Sequence, residues 1–188
     1  MGLKMRLFKK RLAAFVSNWL GVIIAAVIVV ISATFGGMYL YGRSKIDNSI
    51  NFVTQVINMR YPDGLTRVGP VDAPPPYNYN LILQVYNPYS DIIDVSISNV
   101  TITADTYTLP VAQVGSWNQN VPNGYTTFEG SFIIDAQTFA ALAAKGPVEV
   151  SIKGTISGSG QYKWIKRQNQ RSFDIPIHGV LFKLNPPS

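Results

Sequence analysis

The chain has no cysteine, so no disulfide staples any part of it and a folded domain must rest on its own packing. It has one histidine, His178. Without a thiol or a second imidazole there is no thiol nucleophile and no zinc cluster of the usual ligands. A Ser-His-Asp triad would have to use His178, and no nucleophile elbow is present. Charge is also scarce, at 14% of 188 residues, and one stretch accounts for much of the scarcity. From Leu12 to Gly42 no side chain is charged: LAAFVSNWLGVIIAAVIVVISATFGGMYLYG. As a helix this stretch would reach roughly 46 Å, against a hydrocarbon core of about 30 Å. The apolar run is too long for a secretory h-region and no A-x-A cleavage site follows it, so an uncleaved signal anchor is expected.

The anchor's ends are marked. Trp19 stands at one and Tyr39 and Tyr41 at the other, where amphipathic rings prefer the membrane interface. Lys4, Arg6, Lys9, Lys10 and Arg11 precede the span with no acid among them. The positive-inside rule places that tail in the cytoplasm and everything after residue 42 outside. Lys9, Lys10 and Arg11 are the residues expected at anionic head groups, with the three aromatics as interface anchors. The formal net charge of +6 therefore reports topology. Residues 1–11 carry +5, Arg43 and Lys45 add +2, and residues 46–188 sum to −1. Nothing in this distribution calls for nucleic acid.

Beyond the span, Ile46, Ile50, Val53, Val56 and Ile57 fall three or four apart, which predicts an amphipathic helical stalk over 43–60. Tyr61-Pro62-Asp63-Gly64 stops it. Residues 61–80 are proline-rich and lack periodicity, which reads as a stiff linker or irregular edge. From 81 to 188 the period is two, with short strands and regular turns. A bulge is expected near Ser98–Asn99, and a turn at Val121-Pro122-Asn123-Gly124. Asp135 should cap a short helix closed by Gly146. Ser157-Gly158-Ser159-Gly160 reads as a flexible hairpin tip. Tyr162, Trp164, Phe173, Ile175 and Ile177 supply the last two strands. The expected fold is mainly β: an Ig-like or fibronectin-like antiparallel β-sandwich with one short helix, preceded by an N-terminal transmembrane helix.

The order of these features resembles one family, the late-embryogenesis-abundant group-two domain, also called the water-stress and hypersensitive-response domain. Val85-Tyr86-Asn87-Pro88-Tyr89 followed by Ile93-Asp94-Val95 is similar to that family's strand, Asn-Pro corner and second strand. Val121-Pro122-Asn123-Gly124-Tyr125-Thr126-Thr127 looks like its Pro/Asn/Gly turn before a threonine-containing strand. Thr138-Phe139-Ala140-Ala141-Leu142 is similar to its short helix, and Val148-Glu149-Val150-Ser151-Ile152-Lys153-Gly154 to its next strand. Ile175-Pro176-Ile177-His178-Gly179 looks like its closing segment. The resemblance spans about residues 78–183. Tyr89 departs from it, standing where the family often has a second asparagine. So does TADTYTLPVAQVGSWNQN, which replaces a shorter hairpin and leaves the pairing of 103–119 open. The resemblance implies tolerance of dehydration or other stress, with Asn87 and Pro88 as the recurring corner.

Candidate chemistry is thin. Asp91 and Asp94 lie three apart, but two carboxylates without further oxygen ligands make a poor calcium site. Asn99-Val100-Thr101 is a glycosylation sequon at Asn99. Charge along the domain is segregated: residues 46–144 sum to −6 and residues 145–171 to +5. Lys163, Lys166, Arg167 and Arg171 make an interaction patch that could orient copies head to tail or meet anionic head groups or surface polymer; as a solvated edge they would block strand pairing. Ala33 and Gly37, and Gly21 and Ala25, are small-residue pairs that permit close helix contact in the span. The expectation is a non-enzymatic, cofactor-free, single-pass membrane protein. Its expected partners are the lipid bilayer and other membrane or envelope proteins or its own copies. The alternatives are a structural subunit of an envelope assembly or filament, and an accessory subunit of a membrane enzyme complex. The tail at 10–14 lacks the cut site expected of a type-IV-filament subunit.

Overall fold

The computed structural model describes residues 2–55, 57–59, 65–70 and 73–182. It divides into two units, Met1–Ser44 and Lys45–Ser188. Helix α1 (Gly2–Gln55) makes up the first and enters the second. From Trp19 to Tyr41 every residue of α1 is exposed, although the stretch is almost wholly apolar. A helix apolar on all sides suits a membrane span, where it would satisfy its own backbone groups. Among the described residues it is the one helix long and apolar enough to cross a membrane.

The second unit is a β-sandwich of two antiparallel sheets with one short helix. Its elements are β1 (Ile57–Met59), β2 (Leu65–Val68), β3 (Tyr77–Asn87), β4 (Ile93–Ala104), β5 (Tyr107–Pro110), β6 (Ala112–Val114), β7 (Asn118–Val121), β8 (Gly124–Ile134), α2 (Ala136–Lys145), β9 (Val148–Tyr162) and β10 (Ile165–Val180). One sheet runs β1-β3-β8-β6, with β2 also on β3. The other runs β10-β9-β4-β5, with β7 also on β4. The stretch 103–119, open from sequence, crosses between them: β5 pairs β4, β6 pairs β8, and β7 returns to β4.

Period-two patterning fills the space between the sheets. Leu81, Leu83, Val85, Phe128, Phe132 and Ile134 point inward from one sheet, and Ile93, Val95, Ile97, Ile102, Ile152 and Ile156 from the other, all buried. Helix α2 adds Phe139 and Leu142. Its N-cap is Asp135, whose carboxylate accepts from the Thr138 amide at 2.8 Å, and Gly146 follows its end at φ +79°. The bulge falls where the β4–β9 register shifts, between Ser98 and Thr101, with Asn99 at φ +54°. Asparagine tolerates that conformation better than most side chains.

Four expectations are corrected. The stalk helix ends at Gln55, and Ile57–Met59 forms a strand opposite Leu83–Val85. Its β-branched residue, Ile57, takes an available sheet edge over another helical turn. The supposed linker holds β2, and β3 begins at Tyr77, earlier than residue 81. Ser157–Gly160 is the interior of β9, not a hairpin tip. The tip is Lys163-Trp164, flanked by the pair Tyr162 and Ile165, so Trp164 belongs to a turn and not to a strand.

Candidate functional site: the seam between stalk and sandwich

The segment Lys45–Gln55 of α1 is packed into the second unit. Ile46, Ile50 and Val53 are 0–1% exposed and belong to the main core. Spacings of four and three put them on one helical face. Their seat is Gly158 and Gly160, two apart on β9 and so on the same side of that strand. A Cβ built at Gly160 would lie 2.8 Å from Ile46 Cδ1, and one at Gly158 would lie 3.2 Å from Ile50 Cγ2 and 3.0 Å from Thr54 Cγ2. The glycines cut a trough into the sheet, and the helix fills it. What reads as chain flexibility in the sequence is close approach in the structure.

A polar ladder runs beside this apolar contact. Arg167 donates to Asp47 through Nε at 2.7 Å and Nη2 at 3.3 Å. Asn169 donates to Asn51 at 2.7 Å. Gln55, its amide oxygen turned to the guanidinium, accepts from Arg171 Nη1 at 2.8 Å. The rungs advance by four on the helix and by two on β10. Four helical residues rise about 6 Å and two strand residues about 6.6 Å, so the periods match over three rungs.

The Asn-Pro corner holds the other side. Asn87 is wholly buried. Its Nδ2 donates to Asp91 O at 2.8 Å and to Val121 O at 3.0 Å, and its Oδ1 accepts from the Tyr89 amide at 3.0 Å. The side chain satisfies three backbone groups and fixes the loop at Asp91. The Asp91 carboxylate in turn meets Lys45 Nζ at 3.0 Å and Ser49 Oγ at 3.5 Å. The corner that carries the family resemblance is thus tied to the stalk through one carboxylate.

The structure redistributes the predicted site residues. Arg167 and Arg171 belong to the ladder, which divides the four-residue patch. Lys163 lies 5.7 Å from the Tyr162 ring centre, and neither it nor Lys166 forms an ion pair among the described residues. The charge segregation along the chain is partly cancelled in space, because Lys145 pairs with Asp105 and Arg167 with Asp47. Asp91 faces the stalk while Asp94 is exposed among Ser96, Ser157 and Gln168 in an open polar hollow of about 480 Å³, so the two acids do not converge. His178 sits 3.1 Å from Glu149, both more than 70% exposed. Pro88 is partly buried beside Asn87, and Asn99 is exposed in its bulge. On α1, Lys9, Trp19, Tyr39 and Tyr41 are exposed; the side chains of Lys10 and Arg11 lie outside the described residues. Sequence reading missed Asp47, Asn51, Gln55, Asn169 and the two glycines. The signal was there: polar residues every four positions beside the apolar stripe, and glycine every second position in one strand.

No protein-family model matches the chain, and no curated protein matches it. Three solved structures are similar to its fold. The solution structure of AT1g01470 from Arabidopsis thaliana is 12% identical over 68% of this chain and 80% of that one, with a TM-score of 0.31. A crystal structure of a protein from Archaeoglobus fulgidus is 13% identical over 67% of this chain and 97% of that one, with a TM-score of 0.31. AggA, the major subunit of aggregative adherence fimbriae type I from Escherichia coli, is 11% identical over 67% and 97%, with a TM-score of 0.33.

Proposed function

We propose that this protein is a non-catalytic, single-pass membrane protein whose β-sandwich is carried outside the cytoplasm as a contact module. The observation that carries the reading is helix α1. One helix is apolar and exposed from Trp19 to Tyr41, then amphipathic and buried from Ile46 to Val53. A cleaved signal sequence has no reason to continue into the core of the domain it delivers. The site chemistry supports a contact role over catalysis. The lone histidine and its carboxylate neighbour are both exposed, and the hollow on the outer sheet face is open and polar where ligand pockets are concave and mostly apolar.

The resemblance to the water-stress domain supports a protective role at the membrane during dehydration. Two measurements test the proposal. Alkaline carbonate washing of membranes should leave the intact chain in the pellet; release into the supernatant sinks the anchor. Vesicles carrying the full chain should then leak less after drying and rehydration than vesicles without it, and equal leakage sinks the protective role. A stoichiometric partner co-purifying in mild detergent would instead favour an accessory subunit.

A further inference from the structure

The end of the sandwich at which α1 enters has an apolar, basic rim. Lys45 is the first residue of the second unit, and around it lie the Asp91 loop and the ring of Tyr162, 5.2 Å from Lys45 Nζ. Three large side chains on these loops are partly exposed: Tyr89 by 37%, with its ring edge-on to Phe52 at 6.0 Å, Ile92 by 59% and Trp164 by 54%. Lys163 and Lys166 flank Trp164 and are exposed. The acids nearby are Asp91, paired with Lys45, Asp47, paired with Arg167, and Asp94, which is exposed.

The hairpin tip is costly in its present form. Lys163 occupies the first position of a two-residue turn at φ +53°, a place where glycine or asparagine costs least. The fold thus holds a strained lysine next to an exposed tryptophan at the point where the chain arrives from an apolar helix.

We propose that this rim rests on the bilayer, with Trp164, Ile92 and Tyr89 in the interfacial layer and Lys163 and Lys166 on anionic lipid phosphates. The inference rests on the membrane-anchored reading above. An amphipathic ring prefers the interface, and lysines beside it gain from the surface potential of anionic lipid. Connectivity argues for this occupant: Lys45 follows Tyr41 by four residues, so with the span in lipid this rim is within reach of the lipid surface.

The absence of cysteine makes the test clean. Single cysteines replace Ile92, Trp164 or, as a distal control, Ile133, in the full chain. Ile133 is 59% exposed but lies near the far end of β8, whose first residue Gly124 pairs with Asn87 at the rim. Each variant is labelled with a fluorophore in nanodiscs with or without phosphatidylglycerol, containing head-group spin-labelled lipid, and its melting temperature is compared with the parent's. Probes at 92 and 164 should be quenched more strongly than the probe at 133, and more so in anionic discs. Replacing Lys163 and Lys166 together by glutamine should shift the docked population roughly 30-fold toward undocked in anionic discs. Quenching equal at all three sites, or independent of lipid charge, overturns the proposal. A carbonate wash of the same chain separates the two failures: a chain that washes off refutes the anchor, whereas a retained chain with an unquenched rim refutes only the docking.

Discussion

Asn87 shows how much one side chain can hold. It is buried, and its amide is spent on the Asp91 and Val121 carbonyls and the Tyr89 amide. Asn87→Ala leaves those three groups short of a partner, at about 1–3 kcal/mol for each that water cannot reach. The expected result is a loss of at least about 2 kcal/mol in denaturant unfolding, with faster amide exchange at Tyr89. An unchanged midpoint would show that the corner is only a turn. Asp135 supports a second prediction, on pH. Its hydrogen bonds from the Thr138 amide and hydroxyl hold its carboxyl below the ordinary 3.8. A folded value below the unfolded one means that the cap's contribution is complete above the ordinary range and is lost as pH falls through it toward the folded value. The Lys145 ammonium lowers Asp105 in the same direction. The protection factors of the Phe139–Leu142 amides, in which the intrinsic slowing of exchange in acid is divided out, should therefore fall as pH drops through that range in the parent. In Asp135→Asn, whose side-chain oxygen still caps but does not titrate, that change should shrink while any part due to Asp105 remains.

At the scale of elements, the stalk is a structural member of the sandwich. Ile46, Ile50 and Val53 are buried to within 1%. Side chains of this kind contribute about 1.5–3 kcal/mol each, so the three together approach the whole stability of about 5–15 kcal/mol for an ordinary domain. A chain beginning at Ser44 should be soluble, monomeric and cooperatively folded. A chain beginning at Ile57 should aggregate or lose its near-ultraviolet dichroism, because the trough over Gly158 and Gly160 is then empty. If both fold alike, the seam is an accessory contact. The same seam measures what the sequence could tell. Strands such as β3, β4 and β8 were legible because one side faces a core and the other solvent, which imposes alternation. Helix α2 was legible from its cap and closing glycine. The stalk's end was not, since Ile57 suits a helix face and a sheet edge equally, and only the open edge of β3 decides. Ser157–Gly160 was misread because glycine signals a loop unless its neighbour in space is known, and that neighbour lies more than a hundred residues earlier in the chain. The ladder stayed hidden because its matching of four to two requires helix and strand already side by side.

At the scale of the whole molecule, the proposed anchor raises the question of which side of a membrane would receive the sandwich. Five basic residues precede the apolar span, and Arg43 and Lys45 follow it. The bias acts during insertion, when Lys4, Arg6, Lys9, Lys10 and Arg11 compete with those two for the cytoplasmic side, and the larger cluster should win. The later pairing of Lys45 with Asp91 belongs to the folded domain and plays no part in that competition. With no native cysteine to confuse the result, Ile133→Cys should react with a membrane-impermeant maleimide on intact cells, while Lys9→Cys reacts only after lysis. The opposite pattern would place the sandwich in the cytoplasm and remove the ground for an external contact role. Replacing Lys4, Arg6, Lys9, Lys10 and Arg11 together by glutamine leaves Arg43 and Lys45 as the main bias and should invert a substantial share of the chains. In that share position 133 is protected until lysis, which ties the orientation to charge rather than to the folding of the sandwich.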